Sequence, residues 1–154
     1  MRKNSAGLLL YRFQPHGLEV LLVHPGGPFW KKKDAGAWTI PKGEPADGEE
    51  LLVAAKREFE EELGSKPTGD FRTLSPVKQK GGKTVHAFAF EGDLDVSKFT
   101  SNTFMMEWPP RSGKQLTFPE IDRAEFFEIP AAMKKINAAQ IPLLTELQQL
   151  LSEP

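Results

Sequence analysis

The spacing of apolar positions changes character several times along the chain, and each change predicts an element. Residues 5–13 (SAGLLLYRF) and 18–24 (LEVLLVH) are short apolar runs joined at QPHG, which predicts two strands closed by a turn. Residues 25–36 (PGGPFWKKKDAG) read as a loop from their glycine and proline content, and 37–40 (AWTI) is a short strand candidate. A helical period then runs towards Gly64. DFRTLSPVKQK and KTVHAFAFEG flank Gly81-Gly82, a hairpin signal. In the second arm Val85, Ala87 and Ala89 oppose His86, Phe88 and Phe90. Residues 93–119 are irregular, with a strand candidate at TFMMEW, and 122–129 (DRAEFFEI) predict a late strand. PAAMKKI and PLLTELQQLL predict two closing helices, each with proline at its start. The second places Leu143, Leu144, Leu147, Leu150 and Leu151 on one face. This order predicts an α/β fold with a mixed sheet between helical layers.

The central helix carries an electrostatic anomaly. It is expected to begin near Gly48, with Asp47 and Glu50 as a capping box, or one turn later, and to close at Gly64. Leu52, Ala55, Phe59 and Leu63 form its apolar stripe, and Glu58, Glu61 and Glu62 form a second stripe roughly a quarter to a third of a turn away. Glu60 falls on the solvent side. A helix C-terminus favours cations, yet these carboxylates gather there. On an exposed helix each like-charge pair costs a few tenths of a kcal/mol. In a partly buried cleft, two such charges about 6 Å apart repel by roughly 3 kcal/mol at an effective dielectric near 20. A divalent cation among them reverses the sign, and oxygen ligands suit magnesium or manganese. A solvated acidic face is the competing reading of this helix taken alone.

Composition narrows the chemistry. The chain has 154 residues and is expected to form a single domain, 1–154, with a substantial core. With no cysteine, disulfides, thiolate metal sites and a cysteine nucleophile are excluded. A net charge of -1 supplies no general attraction for nucleic acid or acidic membranes, so neither partner is expected. The opening MRKNSAGLLLY has an apolar run too short for a signal peptide or for the ~20 residues of a membrane span. The expectation is a soluble, cytoplasmic protein, monomeric or homodimeric.

The rest of the helical stretch removes the ambiguity. Gly43, Glu49, Arg57-Glu58-Phe59, Glu61-Glu62 and Gly64 fall at the fixed spacings of the Nudix hydrolase signature, and WTIPKGE (38–44) resembles the lead-in to it. Ser65 departs, standing where that signature has a hydrophobic residue. The chain thus resembles the Nudix hydrolases over about residues 5–130, most specifically over 38–65. The resemblance implies an α/β/α sandwich with a loop–helix–loop catalytic motif, and hydrolysis of a nucleoside diphosphate linked to another moiety. It implies that Glu58, Glu61 and Glu62, with the carbonyl of Gly43, hold magnesium or manganese, and that Arg57 pairs with Glu49 to orient the cluster. The general base is implied to be a signature glutamate or a later one; Glu120, just before the late strand, is the candidate, with a plain loop glutamate as the alternative.

Substrate contacts are more open. Phe29 and Trp30 can stack on a base and Lys31, Lys32 and Lys33 can meet phosphates, or the aromatics can tuck under a loop with the lysines in water. Arg111 and Lys114 stand on similar terms. Lys42 touches phosphate or is solvated; Glu44 is an outer ligand or caps a turn. His24 and His86 are expected to be packed or hydrogen-bonded, not catalytic. The expected substrate is a (di)nucleoside polyphosphate such as diadenosine tetraphosphate. Alternatives are oxidised nucleoside triphosphates and, in another class, a non-catalytic nucleotide-binding module.

Overall fold

The computed structural model describes residues 3–152. Strand β1 (Lys3–Gln14) turns into β2 (Gly17–Pro25), and both read as near-continuous apolar runs because they are covered on two faces. Leu8 and Leu10 belong to one buried cluster; Leu9 and Tyr11, one residue out of phase, belong to the other. The first cluster includes Ala54, Ala55, Phe59 and Leu63 of helix α1 (Leu51–Leu63). The second includes residues of helices α2 (Ile129–Lys135) and α3 (Ile141–Ser152), with Leu143, Leu144 and Leu147 buried and Leu150 and Leu151 packed against them. The mixed sheet between these layers is the expected α/β/α sandwich.

Two-residue strands β3 (Lys42–Gly43), β4 (Arg72–Thr73) and β5 (Val77–Lys78) border the longer β6 (Lys83–Glu91) and β1. Strands β7 (Thr103–Glu107) and β8 (Gln115–Pro119) form a separate two-stranded sheet, and β9 (Ile121–Glu128) closes the main one. The main path runs β4-β6-β1-β2-β9; β1 and β6 are parallel and the other pairs antiparallel. In β6, Val85, Ala87 and Ala89 enter one core cluster and Phe88 and Phe90 the other, as their alternation predicts.

Helix α1 takes the later of the two starts expected, at Leu51, because Gly48 sits at φ 75 and cannot extend the helix. Three expectations are corrected. The Asp47–Glu50 capping box does not form: Glu50 is the N-cap without a side-chain bond, and Glu49 accepts the Ala46 N–H at 2.9 Å instead. Residues 37–40 make only isolated bridges, Trp38 to Ile136 and Thr39 to Val23, and the strand beside β1 is Lys42–Gly43. The first arm of the Gly81-Gly82 hairpin is broken into β4 and β5 around Pro76, which has no N–H to donate. Residues 93–119 are also more regular than expected, since QLTFP pairs with TFMME.

Candidate active site

Helix α1 is aimed by its core stripe. Phe59 and Leu63 are buried, so the face next to them is drawn to the edge of the sheet, where β1 holds β3 through Ala6–Gly43 and Gly7–Lys42 pairing. Gly64 ends the helix at φ 71, its N–H donating to the Glu60 carbonyl at 2.7 Å. This sets Glu58, half-buried, against the backbone of Gly43. A Cβ built on Gly43 would overlap the Glu58 carboxylate, so no residue with a side chain fits at Gly43 while Glu58 stays in place.

Glu62 lies deeper. Only 8% of it is exposed, and its Oε2 has no hydrogen-bond partner among the described residues. Burial pushes its carboxyl up to about 9, helped by the charges of Glu58 and Glu120 and opposed by Lys42. Burial also raises Glu58, against the pull of its hydrogen bond to Arg57. Lys42 is lowered by burial and by Lys83, while Glu62, Glu44 and Glu58 work the other way. It is therefore not a freely solvated lysine: burial and the neighbouring glutamates both act on it.

Arg57 organises the outer half. Its Nε and one terminal nitrogen each donate to Glu49 at 2.9 Å, a bidentate pair that holds Glu49 down to about 2. The other terminal nitrogen donates to Glu58 at 2.9 Å and to Glu61 at 3.2 and 3.3 Å, and a further bond reaches the Glu44 carbonyl at 3.2 Å. Glu61 is thus the outer, exposed member, turned towards Arg57. Among the described residues no three His, Cys, Asp or Glu side chains are already gathered as a metal-binding group. Lysine at position 57 could not make this fork. Arg57→Lys is expected to lower divalent-metal affinity about 10- to 100-fold with the fold kept, read by metal titration of activity and by melting temperature.

Glu120, between β8 and β9, comes within electrostatic reach of Glu58 and Glu62. Its carbonyl accepts the Gly26 N–H at 2.8 Å, and its own N–H donates to the Asn102 carbonyl at 2.8 Å. Its chain neighbours Pro119 and Asp122 line a cleft of about 650 Å³ together with Phe29, Trp108, Phe118, Lys31 and Lys32. Lys32 is thus at the cleft. Trp30 instead packs edge-on against Phe29, centroids 5.1 Å apart, and does not line it. Arg111 lies exposed at the tip of the β7–β8 hairpin at φ 64, its N–H donating to Glu107 at 2.8 Å, and also stands outside the cleft. Sequence reasoning missed Trp108 and Asp122; residues 109–114 (PPRSGK) drew notice for their cations, Arg111 and Lys114, and Trp108 stands just before them. His24 is fully buried and hydrogen-bonded, to Asp122 and to the Lys33 carbonyl.

The class of protein is that of hydrolases acting on pyrophosphate bonds. The chain belongs to the family whose model is described as NUDIX domain, which matches residues 1–147. Its fold is similar to that of a Caenorhabditis elegans Ap4A hydrolase in a binary complex, with TM-score 0.68, 24% identity and coverage of 97% of this chain and 98% of that one. It is also similar to the NUDIX domain of Shewanella oneidensis NrtR complexed with ADP ribose, with TM-score 0.69, 14% identity and coverage of 99% and 90%. A MutT protein from Methanosarcina mazei Go1 gives TM-score 0.64 at 17% identity over 99% and 96%. No curated protein matches the chain. Among the described residues no helix is long and apolar enough to cross a membrane.

Proposed function

We propose that the chain is a magnesium- or manganese-dependent pyrophosphohydrolase of nucleoside polyphosphates, with dinucleoside polyphosphates such as diadenosine tetraphosphate favoured. The observation that carries this reading is the partnerless oxygen of buried Glu62, set among Glu58, Glu120 and Lys42. A donor set made only of oxygens, with a glycine backbone cradling one carboxylate, fits a hard divalent cation. Glu58, Glu61 and Glu62, with the Gly43 carbonyl, would hold it. Bound there, the ion neutralises phosphate oxygens and lowers the pKa of an attacking water.

The chain's own groups supply the rest. Arg57 keeps Glu58 and Glu61 in place and ties them to Glu49. Lys42 offsets part of the negative charge around Glu62. Glu120 is the candidate to take the proton of the attacking water, because it neighbours the cluster from a different element and is not committed to Arg57. The cleft beside it is within the size range of ligand pockets and joins aromatic walls to a basic rim, which suits a nucleoside carrying phosphates. The whole-chain likeness to an Ap4A hydrolase adds weight to dinucleoside substrates.

The test is a nucleotide panel with magnesium, with manganese and with chelator. Metal-dependent cleavage releasing a nucleoside monophosphate is the expected result. Binding of nucleotides with no pyrophosphate bond cut under either metal would replace this reading with that of a non-catalytic module.

A further inference from the structure

One completely buried amide, Gln140, reaches the lead-in to Gly43 from between helices α2 and α3, in the layer opposite α1. Residues 38–40 run between β2 and the chain that follows α2. Thr39 exchanges both backbone hydrogen bonds with Val23, at 2.9 and 3.0 Å. Trp38 faces the other way: its N–H donates to the Lys135 carbonyl at 3.0 Å and its carbonyl accepts the Asn137 N–H at 2.7 Å. Extended chain presents successive residues to alternate sides, so Ile40 turns back to the side of Asn137. There the backbone has already left. Asn137 caps a 3-10 turn at Ala138–Gln140, its side chain accepting the Ala139 N–H at 2.9 Å. Ile40 is fully buried, and an orphaned N–H there would be costly. The side chain of Gln140 takes the place of the missing strand: its Oε1 accepts the Ile40 N–H at 3.1 Å.

A backbone N–H can only donate, so the oxygen of this amide must face Ile40 and the nitrogen must face away. Nε2 then donates to Thr39 Oγ1 at 3.0 Å and to Gln79 Oε1 at 2.8 Å. Gln79 stands in the turn between β5 and β6, its own N–H donating to the Lys83 carbonyl at 2.8 Å. The clamp acts just ahead of β3. Pro41 follows Ile40 and its carbonyl accepts the Leu8 N–H at 3.2 Å, after which Lys42 and Gly43 pair with Gly7 and Ala6. The segment has no slack. A Cβ built on Gly7 would meet the Pro41 carbonyl oxygen, the Lys42 Cβ and the Ile40 Cδ1 within 2.9 Å. Groups packed this closely pass a displacement on and do not absorb it.

We infer that Gln140 is a positioning residue for the metal centre: through the Ile40 N–H it sets where the Gly43 backbone stands against Glu58, although Gln140 itself touches neither metal nor substrate. This rests on the metal-dependent reading above and deepens it. The terminal helical layer then does more than cover the sheet, because one of its side chains fixes the strand that meets the glutamates from the opposite side.

The experiment measures manganese affinity of the full-length protein by electron paramagnetic resonance in the absence of substrate. Melting temperature is read alongside, as are kcat and KM for a dinucleoside polyphosphate at saturating metal. Gln140→Met keeps the length of the side chain and leaves the Ile40 N–H without its acceptor. It is expected to weaken manganese binding about tenfold, and to lower kcat about tenfold while KM stays within about twofold. Gln140→Asn, one methylene shorter, draws the oxygen back from Ile40; it is expected to act in the same direction and carries the test if the methionine variant does not fold. Gln79→Met removes the partner of Nε2 and keeps the Ile40 bond. It is expected to lower the melting temperature while holding manganese affinity within about twofold of wild type. Wild-type affinity in the folded Gln140 variants, or an equal loss in Gln79→Met, overturns the inference and leaves Gln140 a packing residue. A wild type that binds no manganese overturns it together with the metal-dependent reading. Manganese binding that weakens in the Gln140 variants of a protein that cuts no pyrophosphate bond upholds it and removes the hydrolase reading alone.

Discussion

Glu62→Gln is expected to abolish turnover while leaving the protein folded, and in the metal-free state to make it less sensitive to alkaline pH. Glu62 ordinarily titrates at 4.5, and burial with the charges of Glu58 and Glu120 pushes it up to about 9. A carboxyl raised in this way is stabilising while protonated. Its contribution is fully present below 4.5 and is lost as pH rises through about 9. At about 1.4 kcal/mol per pKa unit, ionising it without a compensating cation costs on the order of 6 kcal/mol. Metal-free wild type is therefore expected to melt at progressively lower temperature from about pH 5 to 9, and the glutamine variant to lack most of that slope. Binding of a divalent ion demands the ionised form, so it should release a proton and raise the wild-type melting temperature at neutral pH. Calorimetry in buffers of different ionisation enthalpy reads the proton, and thermal melts read the rest. The loss in kcat is expected to be about a thousandfold or more, the several kcal/mol that a metal centre contributes. Near-wild-type kcat at saturating magnesium would remove Glu62 from the site.

This anomaly was only half visible in the sequence. The spacing of Leu52, Ala55, Phe59 and Leu63 sets the core face of α1, and the glutamate stripe beside it follows from helical geometry. How deep each carboxylate lies does not follow. Glu62 is buried and Glu61 exposed, although they are neighbours on adjoining parts of one face. Strand β3 comes against this part of the helix, with Gly43 on Glu58 and Lys42 near Glu62, and a two-residue strand has no period to detect. The long strands and the terminal leucine face were legible because each is covered by neighbours along its full length. Of the β7–β8 hairpin only β7 was legible, as TFMMEW. Strand β8 alternates only weakly, and a separate two-stranded ribbon has one shallow face to bury, so the pattern that marks a core strand is faint there. The cleft suffers the same limit: Phe29, Trp108 and Asp122 come from three separate segments, and nothing local in any of them names the others. Phe29 and Trp30 were offered together as stacking rings, and which of two adjacent aromatics faces a cleft is decided by the turn, not by composition.

Gly43→Ala separates backbone from side-chain chemistry at the same site. The added methyl would occupy the space now filled by the carboxylate of Glu58, so one of them must move. The obstacle is not the free end of a flexible chain: Glu58 is half-buried and bonded to Arg57 at 2.9 Å, which is itself locked to Glu49. Rotating Glu58 away breaks that bond and withdraws an oxygen from the cluster around Glu62. Moving β3 instead strains its pairing with Ala6 and Gly7, where Gly7 already leaves no room for a side chain against Pro41 and Lys42. The substituted protein is expected to keep its melting temperature within a few degrees, since the apolar face of α1 is untouched, while kcat/KM falls about a hundredfold. A misplacement near 1 Å in a catalytic constellation has an effect of that size. Raising the metal concentration is expected to recover part of the loss, because the defect lies in the ligand set and not in the cleft. If the alanine variant instead turns over normally, Glu58 has another productive position and the Gly43 carbonyl is not part of the centre. If it loses activity together with its fold, Glu58→Asp in a wild-type backbone distinguishes the cases. The shorter aspartate leaves the glycine contact open, and its kcat should fall with melting temperature unchanged.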